Sequence, residues 1–236
     1  MKHSKSATVR YAMKKSLPVL FGYLFLGSAF GIMLYEAGYS VGWAVIISLL
    51  VYAGSGQFLL VSMITSCASL PTTALMTLFI NSRHMFYGLS FVQKFRQGGW
   101  RYPFMIFTLT DETYSVNVSI NDVPEGVDEI KARYLIGEFN HFYWILGSVT
   151  GSLLGMSIPF DLTGIDFSMT ALFVIIFIDL MRDLNSRLCG LLGITVAVVC
   201  ILCFGYDNFL LPALIFTVLL LFALQPVLGR KEAEEE

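Results

Sequence analysis

Arg83 stands where a cation is costly. It belongs to Asn81-Ser82-Arg83-His84, near the middle of an apolar stretch covering about residues 71–92. A cation at bilayer depth costs about 2.5–3.5 kcal/mol on insertion scales, so a chain that keeps one there uses it for an ion pair or a ligand. The neighbouring stretches are interrupted at similar depth. Ala53-Gly54-Ser55-Gly56-Gln57 breaks the run 41–68, and Asp111-Glu112 falls near the centre of 102–121. Three successive interruptions imply one polar site inside an apolar body.

These residue types suit a small zwitterion. Arg83, or backbone N–H groups unwound near Gly54–Gly56, can take a carboxylate, as helix N-termini do. Asp111 or Glu112 can take an ammonium, and the surrounding Phe, Leu and Met can hold an apolar side chain. Adjacent helical residues point about 100° apart, so Asp111 and Glu112 do not face the same partner. The plainer alternative is a structural ion pair joining the two stretches. Intramembrane ionisable groups also relay protons. Asp111, Glu112, His84, Glu138 and His141 are the candidates, with Glu138 and His141 expected on one helix face at i,i+3 spacing. No metal site is expected, because neither H-x-x-x-H nor H-x-x-E spacing occurs, and no cofactor is expected. A different chemistry is an intramembrane serine protease, with Ser55 as nucleophile and His141 as base. Ala53-Gly54-Ser55-Gly56 is one letter short of the G-x-S-G pattern. A third reading is a non-transporting assembly subunit whose polar core is only structural.

The elements that must position these groups are membrane helices. The 236 residues are 56% hydrophobic and 14% charged, with a mean hydropathy of +0.71; soluble domains are about 45–50% apolar and about 25% charged. A span takes about 20 residues, so the chain reads as an all-α polytopic membrane protein with seven or eight transmembrane helices, some broken at the midplane. It leaves no room for a soluble domain. The whole of 1–236 is expected to be one transmembrane domain, with a basic cytoplasmic N-terminus over 1–15 and a charged tail over 229–236. Expected spans cover about residues 17–35, 41–68, 71–92, 102–121, 134–155, 167–181, 188–204 and 209–228. Pro18 is expected at the start of the first, where its missing N–H is harmless. An acidic linker is expected over 122–133.

Lys2, Lys5, Arg10, Lys14 and Lys15 place the N-terminus on the cytoplasmic side; they flank a span and do not form a nucleic-acid patch. The apolar run after Ser16 is too long for a signal peptide and lacks a cleavage site. Cys67, Cys189, Cys200 and Cys203 read as small thiols packed between helices. Leu26-Gly27-Ser28 with Gly31 is echoed by Leu146-Gly147-Ser148 with Gly151, a possible internal repeat of the kind that builds transporters.

Taken in order, Pro18 and a glycine-rich first helix, Gly54-Ser55-Gly56-Gln57-Phe58, Asn81-x-Arg83-His84-x-x-Tyr87-Gly88, Asp111-Glu112-x-Tyr114 and a Trp144/Gly147/Gly151 helix resemble the AzlC/YgaZ family. The likeness covers nearly the whole chain, most clearly residues 16–182. That family provides the large subunit of bacterial branched-chain amino acid exporters. The resemblance implies a secondary transporter of the bacterial inner membrane that exports leucine, isoleucine and valine, in some members methionine or azaleucine. It also implies a small membrane partner of the AzlD/YgaH type. The midplane argument and the motif positions together give Gly54, Ser55, Gly56, Gln57, Asn81, Arg83, Tyr87, Asp111, Glu112 and Tyr114 as candidate substrate-binding residues. Alternating access is expected, with helices broken around Gly54 and Arg83.

Overall fold

The computed structural model describes residues 4–120, 123–157, 184–206 and 215–223, with 167, 171, 174, 177–178, 181, 209 and 212–213 between them. The side chains of Arg83, Met85, Phe86 and residues 184–186 lie outside this set. The chain divides into two units, Met1–Ser168 and Met169–Glu236. Every regular element among the described residues is helical.

α1 runs over Lys5–Glu36, three turns earlier than expected. The Ser4 hydroxyl accepts the Ala7 N–H at 3.4 Å, capping the first turn. Thr8, Ala12 and Ser16, four apart, are buried, while Lys5, Arg10 and Lys14 are exposed. The Asp128 N–H donates to Thr8 Oγ1 at 3.1 Å, and the Ser4 N–H to the Gly126 carbonyl at 2.8 Å. The basic segment is therefore a docked helix, and Pro18 lies inside α1. There it removes one i→i−4 hydrogen bond.

α2 (Val41–Leu50) and α3 (Ser55–Thr65) are the two halves of one apolar run. Between them Tyr52 has φ +35° and Gly54 φ +30°, a region that L-residues other than Asn and Asp seldom enter. The expected interruption at 53–57 is thus a real break. α4 (Leu70–Arg96) begins with Ser69 accepting the Thr72 N–H and with Pro71 in its first turn. It is continuous through Arg83; the second break expected there is absent. The second break lies in the next stretch, where α5 (Tyr102–Phe107) ends and α6 (Asp111–Val118) begins.

α7 covers Glu129–Ser157, so the expected linker is helical from its second half. α1 and α7 meet backbone to backbone. A Cβ on Gly27 would lie 3.1 Å from Gly147 Cα; one on Gly31 would strike the Ser148 carbonyl, and one on Gly151 would strike Ser28. The contact is reciprocal. Gly27 faces Gly147, its counterpart in the echoed motif, and Gly31–Ser148 mirrors Gly151–Ser28. An isologous contact between two copies of a patch has this pattern. Small residues at such positions allow close packing between membrane helices.

In the second unit, α8 spans Leu184–Phe204. Of the cysteines, Cys200 is buried and Cys189 half-buried, whereas Cys67 and Cys203 are exposed; the expectation of four buried thiols fails for those two. The expected span 167–181 lies largely outside the described residues; in 209–228, residues 212–213 and 215–223 are helical. Among the described residues, Lys5–Glu36 and Arg187–Phe204 are long and apolar enough to cross a membrane. α4 and α7, with 27 and 29 residues, are about 40 Å long at 1.5 Å per residue, but carry polar groups on their inner faces.

Candidate functional site

The two breaks meet against the middle of α7. At the first, Ser48 near the end of α2 presents its carbonyl to His141 Nε2 at 3.1 Å and its hydroxyl to Ser148 Oγ at 2.9 Å. Gln57, in the first turn of α3, is fully buried. Its Oε1 accepts the Trp144 indole N–H at 2.6 Å, and its Nε2 donates to Ser48 Oγ at 3.3 Å. Gln57 therefore holds α2, α3 and α7 together. The α3 N-terminus has Gly54 as N-cap and no side-chain cap. A Cβ on Gly56 would lie 3.0–3.2 Å from the Asn81 amide of α4, and Asn81 Oδ1 is buried with no hydrogen-bond partner among the described residues. This places uncapped helix dipole and a polar amide side by side.

At the second break, Thr108 Oγ1 donates back to the Phe104 carbonyl at 2.9 Å as α5 ends. Thr110 turns the chain in the β region (ψ 175°) and its hydroxyl accepts the Thr113 N–H at 3.4 Å. Asp111 and Glu112 then occupy the first turn of α6, where the helix dipole favours negative charge. Tyr23 of α1 reaches across: its hydroxyl is 2.7 Å from Thr110 Oγ1 and donates to Glu112 Oε2 at 2.7 Å. Asn140 of α7 donates to Thr113 Oγ1 at 3.0 Å. The Gly137 Cα faces Thr108 so closely that any Cβ would meet its hydroxyl.

Aromatic rings join the two breaks. The Tyr23 ring stands edge-on to Tyr52 at 6.4 Å and to Trp144 at 5.2 Å. The Tyr52 and His141 rings are 4.4 Å apart. Tyr87 of α4 stacks on Tyr114 of α6 at 4.4 Å and 21°, and His84 lies 5.9 Å from Tyr87 with Nδ1 3.1 Å from the Asn81 carbonyl.

Gly54, Ser55, Gly56, Gln57 and Asn81 thus gather at one break, Asp111, Glu112 and Tyr114 at the other, with Tyr87 and His84 alongside. His141 is buried between them. Glu138 is exposed and does not share the His141 face; the helix turns it away from the cluster. The Arg83 side chain lies outside the described residues, so the expected pair with Asp111 or Glu112 has no geometry here.

Arg133 escaped the reading of residues 122–133 as an acidic linker. Its side chain is buried, with Nη1 donating to the Asn117 carbonyl at 2.7 Å and to Asn117 Oδ1 at 3.0 Å. Nη2 donates to the Ile120 carbonyl at 3.1 Å, Nε to Glu129 at 2.9 Å, and the guanidinium lies over the Phe91 ring. It satisfies carbonyls at the C-terminal end of α6, where a cation also suits the dipole. Tyr23, Ser48, Thr110, Thr113, Asn117 and Asn140 were also missed. Thr110, Thr113 and Asn117 recur three and four apart, the spacing of one helix face, and that signal was readable.

The family model described as AzlC protein matches residues 18–158. The branched-chain amino acid transport protein AzlC of Bacillus subtilis is 33% identical over 96% of this chain and 89% of its own length. The chain belongs to the AzlC family. An uncharacterised membrane protein of Helicobacter pylori is 37% identical over 94% of this chain and 95% of its own. The inner membrane protein YgaZ of Escherichia coli is 28% identical over 72% and 71%. No solved structure matches the chain. The match to residues 18–158 spans both breaks and α7, so the cluster lies within the part that defines the AzlC family. As a member, the chain is a helical membrane protein of a transport family.

Proposed function

We propose that this chain is a secondary transporter that exports branched-chain amino acids across the bacterial inner membrane. One observation carries the reading: two helices of an AzlC-family chain are broken, and both breaks converge on buried polar and aromatic side chains of α7. Broken helices at a shared depth are the usual framework of transporter substrate sites. In this reading the substrate carboxylate meets the uncapped N-terminus of α3 at Gly54, Ser55 and Gly56, with Arg83 as a further cation. Its ammonium meets Asp111 and the Asn81 amide oxygen, and the stacked Tyr87 and Tyr114 rings flank its apolar side chain. Gln57 acts by fixing Trp144 and α2.

Transport proceeds by alternating access, with the α2–α3 and α5–α6 breaks flexing against the α1–α7 pair. Proton antiport drives it, through Glu112 and Asp111 with His84 and His141 as neighbours. Glu138, exposed on α7, has no part in this scheme. A small AzlD-type membrane subunit acts with the chain. The N-terminus is cytoplasmic, and the chain crosses the membrane seven or eight times.

Radiolabelled leucine uptake into everted vesicles tests this reading, with the neighbouring small membrane protein co-expressed. Uptake is expected only with an imposed proton gradient, and is expected to disappear in Asp111→Asn. Vesicles containing folded protein that accumulate no leucine, valine or methionine would remove the substrate assignment.

A further inference from the structure

The proton-coupled reading leaves open which group carries the proton and how the helices sense it. We propose that Glu112 is the carrier, and that Tyr23 reports its protonation to the second break by reversing its hydrogen bond with Glu112 and turning its own hydroxyl onto Thr110.

The chain is short, and its links are buried except at the half-buried Glu112 end. Glu112 Oε2 lies 2.7 Å from Tyr23 Oη, which lies 2.7 Å from Thr110 Oγ1. Thr110 Oγ1 lies 3.2 Å from Thr113 Oγ1, which also accepts from Asn140 Nδ2. Tyr23 has one proton and two acceptors in reach, so it serves one at a time. With Glu112 ionised, the Tyr23 O–H donates to the carboxylate, the arrangement observed. With Glu112 protonated, the carboxyl O–H donates to Tyr23 Oη. The Tyr23 O–H then rotates to donate to Thr110 Oγ1, which keeps the donation to Thr113 Oγ1 that it already makes. One O–H bond forms, on Glu112, from a solvent proton; no other covalent bond changes.

Thr110 is the residue that turns the chain between α5 and α6 and caps the Thr113 N–H, so the rotated Tyr23 hydroxyl acts on the hinge itself. The Tyr23 ring also stands edge-on to Tyr52 at the first break and to Trp144 on α7. Other titratable groups surround the carboxyl. Asp111 is its neighbour in α6, Tyr52 closes α2, and His141 of α7 lies against Tyr52. Arg83 of α4 has its side chain outside the described residues, and Arg133 holds the far end of α6.

Two substitutions separate this role from a merely structural one. Tyr23→Phe keeps the ring but removes the donor to ionised Glu112, so the protonation midpoint is expected to rise by about one pH unit. Thr110→Val removes the acceptor needed in the protonated state, so the midpoint is expected to fall; Thr110→Ser is expected to restore it. Infrared difference spectra of the purified protein, titrated with acid, read the C=O stretch of a protonated carboxyl without requiring transport. A titrating band that is absent in Glu112→Gln, and opposite shifts in the other two variants, support the relay. A band that persists in Glu112→Gln, or shifts of the same sign or none, overturns it. The relay builds on the proton-coupled reading, and the two can fail separately: the expected spectra with leucine uptake indifferent to pH would retain the relay and remove the coupling.

Discussion

The two helix breaks are made by different means. At the first, between α2 and α3, the backbone does the work. Tyr52 and Gly54 adopt positive φ, and no side chain caps the new helix. At the second, between α5 and α6, the turn keeps ordinary backbone angles and is held by side chains. Thr110 caps α6, Tyr23 and Asn140 fasten its first turn, and Arg133 satisfies carbonyls at its far end. The first break therefore presents a helix N-terminus without a side-chain cap beside an amide; the second presents a carboxylate, Glu112, already engaged by the Tyr23 hydroxyl. That difference suits the first to hold an anionic group and the second to bind and release a proton.

Breaking the second by its anchors is expected to have the largest effect. Arg133→Met leaves the Asn117 and Ile120 carbonyls without their donor and is expected to cost about 3 kcal/mol, seen as a lower melting temperature in detergent. Gly54→Ala probes the first break alone. Nothing lies within 4 Å of the added Cβ, so its cost is conformational, about 1–2 kcal/mol for an L-residue at φ +30°. A neutral Gly54→Ala melt would mean that this break needs no glycine. Thr110→Ala removes the α6 cap and is expected to cost about 1 kcal/mol, with Thr110→Ser close to wild type in the same melts.

The smallest effect is on acidification. Glu129 lies at the start of α7, outside the apolar segment. Burial alone would raise its pKa, but hydrogen bonds from Lys94 and Arg133 outweigh this and leave it below the usual 4.5. A carboxylate whose folded pKa is lowered stabilises the fold at neutral pH and loses that contribution as the pH falls from 4.5 through the lowered value. Melting temperatures are therefore expected to drop on the acid side of 4.5, and to drop less in Lys94→Ala.

Much of this was legible in the sequence for identifiable reasons. Glycines on both sides of Ser55 announced the first break. Asp111-Glu112 read only as a polar interruption; the second helix break was expected at Arg83, and the chain instead turns at Thr110. The matching Gly27/Gly31 and Gly147/Gly151 motifs were visible as an echo, but their reciprocal packing is a relation between two helices that spacing alone does not contain. Arg133 was hidden by its setting: among Asp128, Glu129 and Lys131 it read as part of an acidic linker, and its main partners are backbone carbonyls, which leave no mark in a sequence. The early start of α1 was masked by its lysines, which lie on the exposed face while Thr8, Ala12 and Ser16 face inward.

Direct leucine binding to the purified protein tests most directly whether both breaks hold one substrate. Gly56→Leu, which displaces Asn81 at the first break, and Asp111→Asn, at the second, are each expected to weaken the affinity at least about tenfold, equivalent to about 1.4 kcal/mol, while the protein stays folded. Wild-type affinity in either folded variant would contradict a site shared by the two breaks.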